Sequence, residues 1–316
     1  MKYRNLTSTL LCALSVVTSH AEEGGTGHYM PGSMSSFMDG VPPTETFIAR
    51  YNFLSWNAEV SSNRVLPIAG LITGGADIDS VANGLTMLWR PSWGEINDCW
   101  SYAMSATVPF VDLDISANVI TSSGTVRRSD SISGIGDIVL MPVMLNQNFN
   151  PDFNINYRLG VYAPTGRYEV GRLANTGKNY WTLEPTVGFM YFGQKNGREA
   201  SLFAGYDYNF ENSDTNYKTG GQVHLDGTLA QHFPLWGGLA GVGINGYWYE
   251  QITGDSGAGA NLGDFEARTT GIGPAISYVG KIGDMDFLAE LKWLHELDVE
   301  NRPEGDFVWL KFIAKF

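Results

Sequence analysis

Hydrophobic side chains recur at every second position over long stretches of this chain, and short polar segments separate the stretches. In 222–233, Val223, Leu225, Leu229 and Phe233 share one face, while Gln222, His224, Asp226, Thr228 and His232 share the other. In 285–297, Phe287, Ala289, Leu291 and Trp293 oppose Asp286, Glu290, Lys292 and Glu296. A period of two is that of a β-strand with one apolar face. The same pattern predicts twelve strands, at 45–58, 82–93, 99–121, 134–148, 153–164, 180–193, 199–211, 220–233, 238–252, 264–279, 285–297 and 307–316. The last carries Val308, Leu310, Phe312, Ala314 and the terminal Phe316 on one face, the ending expected of a bacterial outer-membrane barrel.

The predicted connections alternate in length. Short ones fall at 94–98, 149–152, 193–198, 234–237 and 280–284, longer ones at 61–81, 122–133, 165–179, 212–219, 253–263 and 298–306. Short periplasmic turns and longer extracellular loops are what an outer-membrane barrel has, and an even strand count puts both ends of the barrel on the periplasmic side. The expected fold is therefore all-β: a transmembrane, antiparallel, up-and-down β-barrel of twelve strands over 45–316. A Lys or Arg facing lipid near the midplane costs ~2–4 kcal/mol, so the charged face of each strand belongs to the lumen. That register turns Arg50, Asn52, Arg90, Arg158, Tyr162, Glu184, Asp207, His224, Asp226, Asn245, Tyr247, Lys311 and Lys315 inward. Trp93, Trp100, Tyr180, Trp181, Tyr191, Phe192, Trp236, Trp248 and Tyr278 fall near strand ends, where interfacial aromatic girdles belong.

The two ends refine this picture. Lys2 and Arg4 precede an apolar stretch at 10–17, and Ser19-His20-Ala21 offers small residues for cleavage, so 1–21 reads as a secretory signal peptide. Cys12 lies inside the apolar stretch behind two leucines, which argues against lipidation. The stretch is also too short for a spanning helix of ~20 residues. Beyond it only Cys99 remains, so no internal disulfide can form. Residues 22–44 are rich in Gly, Pro and Ser and have no period. They form an irregular arm that precedes the first strand and so starts in the periplasm. Its His28, Tyr29 and Pro31 could fold up into the lumen as a plug, or the arm could remain a disordered periplasmic tail. Without Lys2 and Arg4 there are 18 basic and 33 acidic residues, which argues against a nucleic-acid partner. The 38 Gly, 13% aromatics and 17% charged residues suit many short strands with glycine-rich turns.

Several segments carry a resemblance. They are Gly27-His28-Tyr29-Met30-Pro31-Gly32, Gly134-Ile135-Gly136-Asp137, Ala163-Pro164-Thr165-Gly166-Arg167-Tyr168 with Gly171-Arg172-Leu173-Ala174-Asn175-Thr176-Gly177-Lys178-Asn179-Tyr180-Trp181, Phe210-Glu211-Asn212, and His224-Leu225-Asp226-Gly227. In this order they resemble the outer-membrane proteins described as involved in the meta-pathway of phenol degradation, the SphA-like transporter family. The resemblance spans nearly the whole chain after residue 21. It implies a transmembrane barrel that passes hydrophobic or aromatic molecules across the outer membrane, and it brings no agreed set of functional residues.

The candidate chemistry is sparse. Gly254-Asp255-Ser256-Gly257 copies the nucleophile motif of trypsin-like proteases, but it sits in a Gly/Ala-rich loop and no His has the expected flanks. His224 and His232 share a face but stand roughly 26 Å apart at ~3.3 Å per residue, too far to share a metal. No metal, cofactor or catalytic residue is expected. Asp207 and Asp226 could meet in the lumen, where the favoured reading is mutual neutralisation of Arg50, Arg90, Arg158, Glu184, Asp207 and Asp226. The leading function is passive transport of a hydrophobic or aromatic solute in the Gram-negative outer membrane, with those lumen residues and Tyr162, His224, Asn245, Tyr247 and Tyr249 along the path. The alternatives are a barrel hydrolase acting on lipid or peptide, and a surface-interaction barrel without transport. The expected partners are outer-membrane lipid and lipopolysaccharide, the solute, and the barrel assembly machinery acting through the strand that ends in Phe316.

Overall fold

The computed structural model describes residues 23, 25–263 and 266–315, so the signal segment 1–21 and the terminal Phe316 lie outside the described residues. The barrel strands are β1 (Thr46–Ile68), β2 (Leu71–Arg90), β3 (Trp100–Thr121), β4 in two pieces (Gly124–Ile135 and Ile138–Asn150), β5 (Phe153–Ala163) and β6 (Thr182–Phe192). They continue as β7 (Arg198–Asn209), β8 (Gln222–Leu235), β9 (Gly238–Gln251), β10 (Arg268–Ile282), β11 (Met285–Glu300) and β12 (Glu304–Lys315). Each pairs antiparallel with the next, and β12 pairs with β1 from Ile48↔Lys315 to Glu59↔Glu304, closing a twelve-stranded barrel. Closure leaves no unpaired edge in contact with lipid.

The strand count and order match the sequence pattern, but two connections do not. The segments 61–81 and 122–133, expected as loops, continue β1–β2 and β3–β4 as paired hairpins that turn at Ala69-Gly70 and at Ser122-Ser123. The reason lies in what surrounds them. Lower on these strands the outward residues are apolar, as with Leu85, Met87, Val108 and Phe110. Higher up they become Asn57, Glu59, Asp77, Asp79, Asp112 and Arg127, which bond to one another in the pairs Asn57–Asp79 and Arg127–Asp77. The inner face changes in the opposite sense, to Trp56, Val60, Ile78, Ile115 and Val119 packed on Leu173 of the loop after β5. Above the hydrocarbon a wall behaves as it does in a soluble protein, so the alternation inverts and its continuity is hidden.

Lumen and lipid faces otherwise sort as the register requires. Leu202, Leu229, Val242, Ile244, Ile276 and Leu310 are exposed on the outside, while Glu290, Lys292, Glu296 and Lys311 are buried within. Of the nine aromatics assigned to the girdles, Trp93, Trp181 and Trp236 are exposed near strand ends. Tyr180 and Phe192 are corrections: both point inward, Tyr180 edge-on to His28 and Phe192 against Phe37. Long inward side chains lie over glycines of the neighbouring strand. A Cβ on Gly271 would stand 2.2 Å from the Tyr247 ring, and one on Gly205 would stand 2.2 Å from His224 Nε2.

Candidate functional site

What fills the lumen is the N-terminal arm, and its direction differs from the sequence expectation. Glu23 does not start in the periplasm. It accepts hydrogen bonds from Tyr168 and Asn212, on the extracellular loops after β5 and β7. Residues 25–45 then descend the whole barrel, a reach that ~3.3 Å per extended residue readily allows. His28 stacks on Tyr162 and bonds to Asp137 and Thr182 near the top. Tyr29 donates to Asp226 at 2.5 Å, Trp309 donates to the Pro31 carbonyl at 2.9 Å, and Lys292 reaches the Gly32 carbonyl and Ser35 Oγ. A 3-10 turn, Phe37–Asp39, completes the descent. There Asp39 receives Lys311 and Arg50, and the Phe37 N–H donates to Glu199.

The ten lumen residues expected from register all point inward, but they separate into groups with different surroundings. Glu184, Asp207, His224 and Asp226 come together in the upper lumen: His224 Nε2 is 3.4 Å from Glu184 and 4.0 Å from Asp207, and its Nδ1 is 3.5 Å from Asp226. Tyr29 roofs this group, its ring 3.6 Å from that of His224. Tyr162 donates to Glu184 at its edge. The arginines make their direct contacts elsewhere, although Arg158 also feels the charge of Glu184. Arg50 pairs with Asp39, Arg158 donates to the Asp39 carbonyl, and Arg90 lies near the periplasmic end, 3.8 Å from Glu95. Asn245 bonds to the Gly227 carbonyl and Thr228, and Tyr247 donates to Glu296. Charge spacing along the strands could not reveal the partner of Arg50 and Arg158, because Asp39 belongs to the arm.

Between the arm and the β1–β4 wall a cavity of about 300 Å³ remains, its surface mostly apolar through Met30, Met34, Leu54, Ala82, Val111 and Trp309, with Arg50, Asn52, Thr86, Asp137, Tyr162 and Lys178 also in its lining. A smaller space of about 100 Å³ lies above it, between Trp56, Ile78, Ile115 and Leu173. Thr26, Thr176 and Lys178 line both spaces. The arm thus divides the lumen into a packed polar side and a less polar side with free volume.

The family described as Putative MetA-pathway of phenol degradation matches residues 61–312, well over half of the chain. The chain belongs to this family. Among curated proteins none matches it. Among solved structures, the COG4313 outer membrane channel from Pseudomonas putida F1 superposes with a TM-score of 0.65 at 16% identity, covering 91% of this chain and 100% of that one. The β domain of the Bordetella autotransporter Brka gives 0.47 at 10% identity over 86% and 100%. The CymD monoaromatic hydrocarbon channel gives 0.42 at 8% identity over 86% and 89%. Fold and family together place the chain in the Gram-negative outer membrane.

The segments that carry the family resemblance meet in space. Asp137, at the interruption of β4, accepts from the Gly166 and Lys178 backbone N–H groups and from His28. A Cβ on Gly166 would stand 2.7 Å from Gly177, so the two loop arms touch only because both positions are glycine. The knot ties arm, β4 and the loop after β5 together. Its outermost member is Glu23, whose carboxyl group burial pushes above the usual value. A buried acid that resists ionisation favours the docked arm as pH falls through its raised value, and opposes docking above it. The Glu23-dependent part of arm release, read from fluorescence of a dye at the arm start, should therefore slow on acidification, against an opposite contribution from Asp137 and His28, whose values docking lowers. Glu23→Gln should remove that part of the pH profile, and an unchanged profile would assign it to another group.

Proposed function

We propose that this barrel passively conducts hydrophobic or aromatic small molecules across the outer membrane, through the less polar side of the lumen. The observation that carries the proposal is the cavity beside the arm, with the second apolar space above it at the extracellular end. An apolar cavity of ~150 Å³ already takes up benzene. The space here suits a single-ring solute, and Tyr162 and Trp309 are among its lining residues. Arg50, Arg158, Glu184, Asp207, His224 and Asp226 serve to seat the arm or lie behind it, and the solute runs past Met30 and Met34 on the other side.

An enzymatic role has less support. Asp255 of the Gly-Asp-Ser-Gly segment accepts from Tyr217, the Gly220 N–H and Gln251, and the Ser256 backbone pairs with Lys218. These contacts use the motif to shape a loop. On the same proposal the exposed outer aromatics meet lipid, the polar outer face of the upper hairpins meets lipopolysaccharide, and the C-terminal strand is the element read by the assembly machinery.

Uptake of labelled single-ring aromatics by proteoliposomes tests the reading. The full chain should exceed empty vesicles severalfold, and Ala82→Phe, which fills the cavity, should remove most of that gain while heat-modifiable gel migration shows a folded barrel. No gain across a chemically broad panel would sink the transport proposal.

A further inference from the structure

We propose that Glu184, Asp207 and His224 form a binding site for one divalent first-row transition-metal ion, for which Zn²⁺ is the fitting probe. The three side chains come from consecutive strands β6, β7 and β8, and one donor atom from each lies within 4.8 Å of the other two. A tetrahedral ion with donors at about 2.0–2.1 Å separates them by roughly 3.3–3.4 Å. The His224 Nε2 to Glu184 distance is already 3.4 Å, and the Asp207 carboxylate needs to close in only slightly from 4.0 Å.

Independent features point to the same occupant. His224 is 1% exposed, and its ring nitrogens meet the carboxylates only in long contacts that fall short of hydrogen-bonding geometry, with Nε2 facing Glu184 and Asp207. Asp226 stands 3.5 Å from Nδ1, where a carboxylate behind a ligating imidazole fixes the tautomer that leaves Nε2 free to coordinate. Tyr162 and Thr186 donate to Glu184 and hold its orientation. Gly205 permits the whole arrangement, because a Cβ there would collide with Nε2 and prevent the ring from leaning across β7 toward Glu184.

Charge supplies the need. Three fully buried carboxylates surround one imidazole, and even a protonated ring leaves them in excess, while Arg50, Arg158 and Lys311 are directed at Asp39. Gathering like charges in the interior is costly, and a divalent cation on a neutral ring leaves a formal excess of one negative charge where a protonated ring alone leaves two. One nitrogen and two carboxylate donors suit zinc, manganese or iron better than calcium, which takes 6–8 oxygens. The ion would pin three strands and, through Asp226, the arm residues Tyr29 and Gly32 that bond to it.

The test uses the folded full-length barrel in a His295→Ala background, which removes the exposed His295–Asp306 pair as a competing site. After chelator stripping, calorimetric titration with ZnCl₂ should show about one equivalent bound, and Co²⁺ should give a visible d–d band. Asp207→Asn, nearly isosteric, and Gly205→Ala should each weaken Zn²⁺ binding at least tenfold, while Asp286→Asn on the periplasmic hairpin should leave it unchanged. If Gly205→Ala does not fold, as judged by heat-modifiable migration, Asp207→Asn decides alone. No saturable binding by the parent barrel, or equal binding by Asp207→Asn, overturns the site. Neither result bears on solute uptake, so this site and the transport reading fail separately.

Discussion

Deleting residues 25–43 is expected to raise single-channel conductance in planar bilayers at least tenfold while leaving the barrel folded. The wall does not depend on the arm for its hydrogen bonds, since every strand pairs with two neighbours around the closed circle. Eight-stranded barrels are filled by their own side chains and barrels of 16–18 strands hold water, so a twelve-stranded lumen is of intermediate width. Here the arm takes up that extra width, and its removal exposes Lys292, Lys311, Glu290, Arg158 and Asp226 to water, which solvates them. Small hydrophilic sugars should then pass in liposome-swelling assays. The preference for aromatic solutes should fall, because Met30 and Met34 on the arm side of the cavity go with the deletion. A conductance equal to that of the full chain would show that wall side chains, and not the arm, close the lumen.

The wall was legible in the sequence because lipid imposes one rule on every strand. Val223, Leu225 and Leu229 against His224, Asp226 and Thr228 fix β8 in register, and the same reading turned all ten lumen residues inward. The rule fails where lipid ends. The upper parts of β1 to β4 reverse their polar and apolar faces, so Asp77, Asp79 and Arg127 read as loop residues although they continue a ladder. Tyr180 and Phe192 were misplaced for a related reason: an aromatic at a strand end serves a girdle or an interior contact equally well, and only the arm's His28 and Phe37 decide between them.

The partners of the lumen charges could not be read from strand period. A residue's face follows from local alternation, but its partner follows from the path of a segment that has no period. The arm residues Glu23, Asp39 and Ser35, each central to a contact network, leave no mark beyond their presence in a Gly- and Ser-rich stretch. One signal was available. His28-Tyr29 appears with Gly136-Asp137, Gly166 and His224-Leu225-Asp226 among the segments that resemble the family, and these segments touch: His28 on Asp137, and Tyr29 on Asp226 and His224. A motif scattered along the chain marked one structure, the arm and the sockets that seat it.

The strongest of those sockets is around Asp39, so Asp39→Asn should be the point substitution with the largest effect on gating. The side chain is fully buried. One oxygen accepts Lys311 at 2.6 Å and Arg50 at 3.1 Å, and the other accepts the Ser35 and Ser36 N–H groups, which shape the turn. Arg158 holds the carbonyl of the same residue. Replacing the carboxylate with an amide leaves Glu290 to offset Lys292 and Lys311, takes from Arg50 its carboxylate partner, and sets an NH₂ donor against other donors. Removing one partner of a buried ion pair costs about 3–5 kcal/mol. At 1.4 kcal/mol per tenfold, the undocked population should rise by about two to three and a half orders of magnitude. Bilayer recordings should show frequent openings to the level of the deletion variant, and added protease should cut the arm between Phe37 and Pro43 while sparing the strands. Lys311→Met in the Asp39→Asn background should recover part of the closed state, since it removes one of the stranded cations. Unchanged closure and protease resistance in Asp39→Asn would move the latch to the upper knot around Asp137.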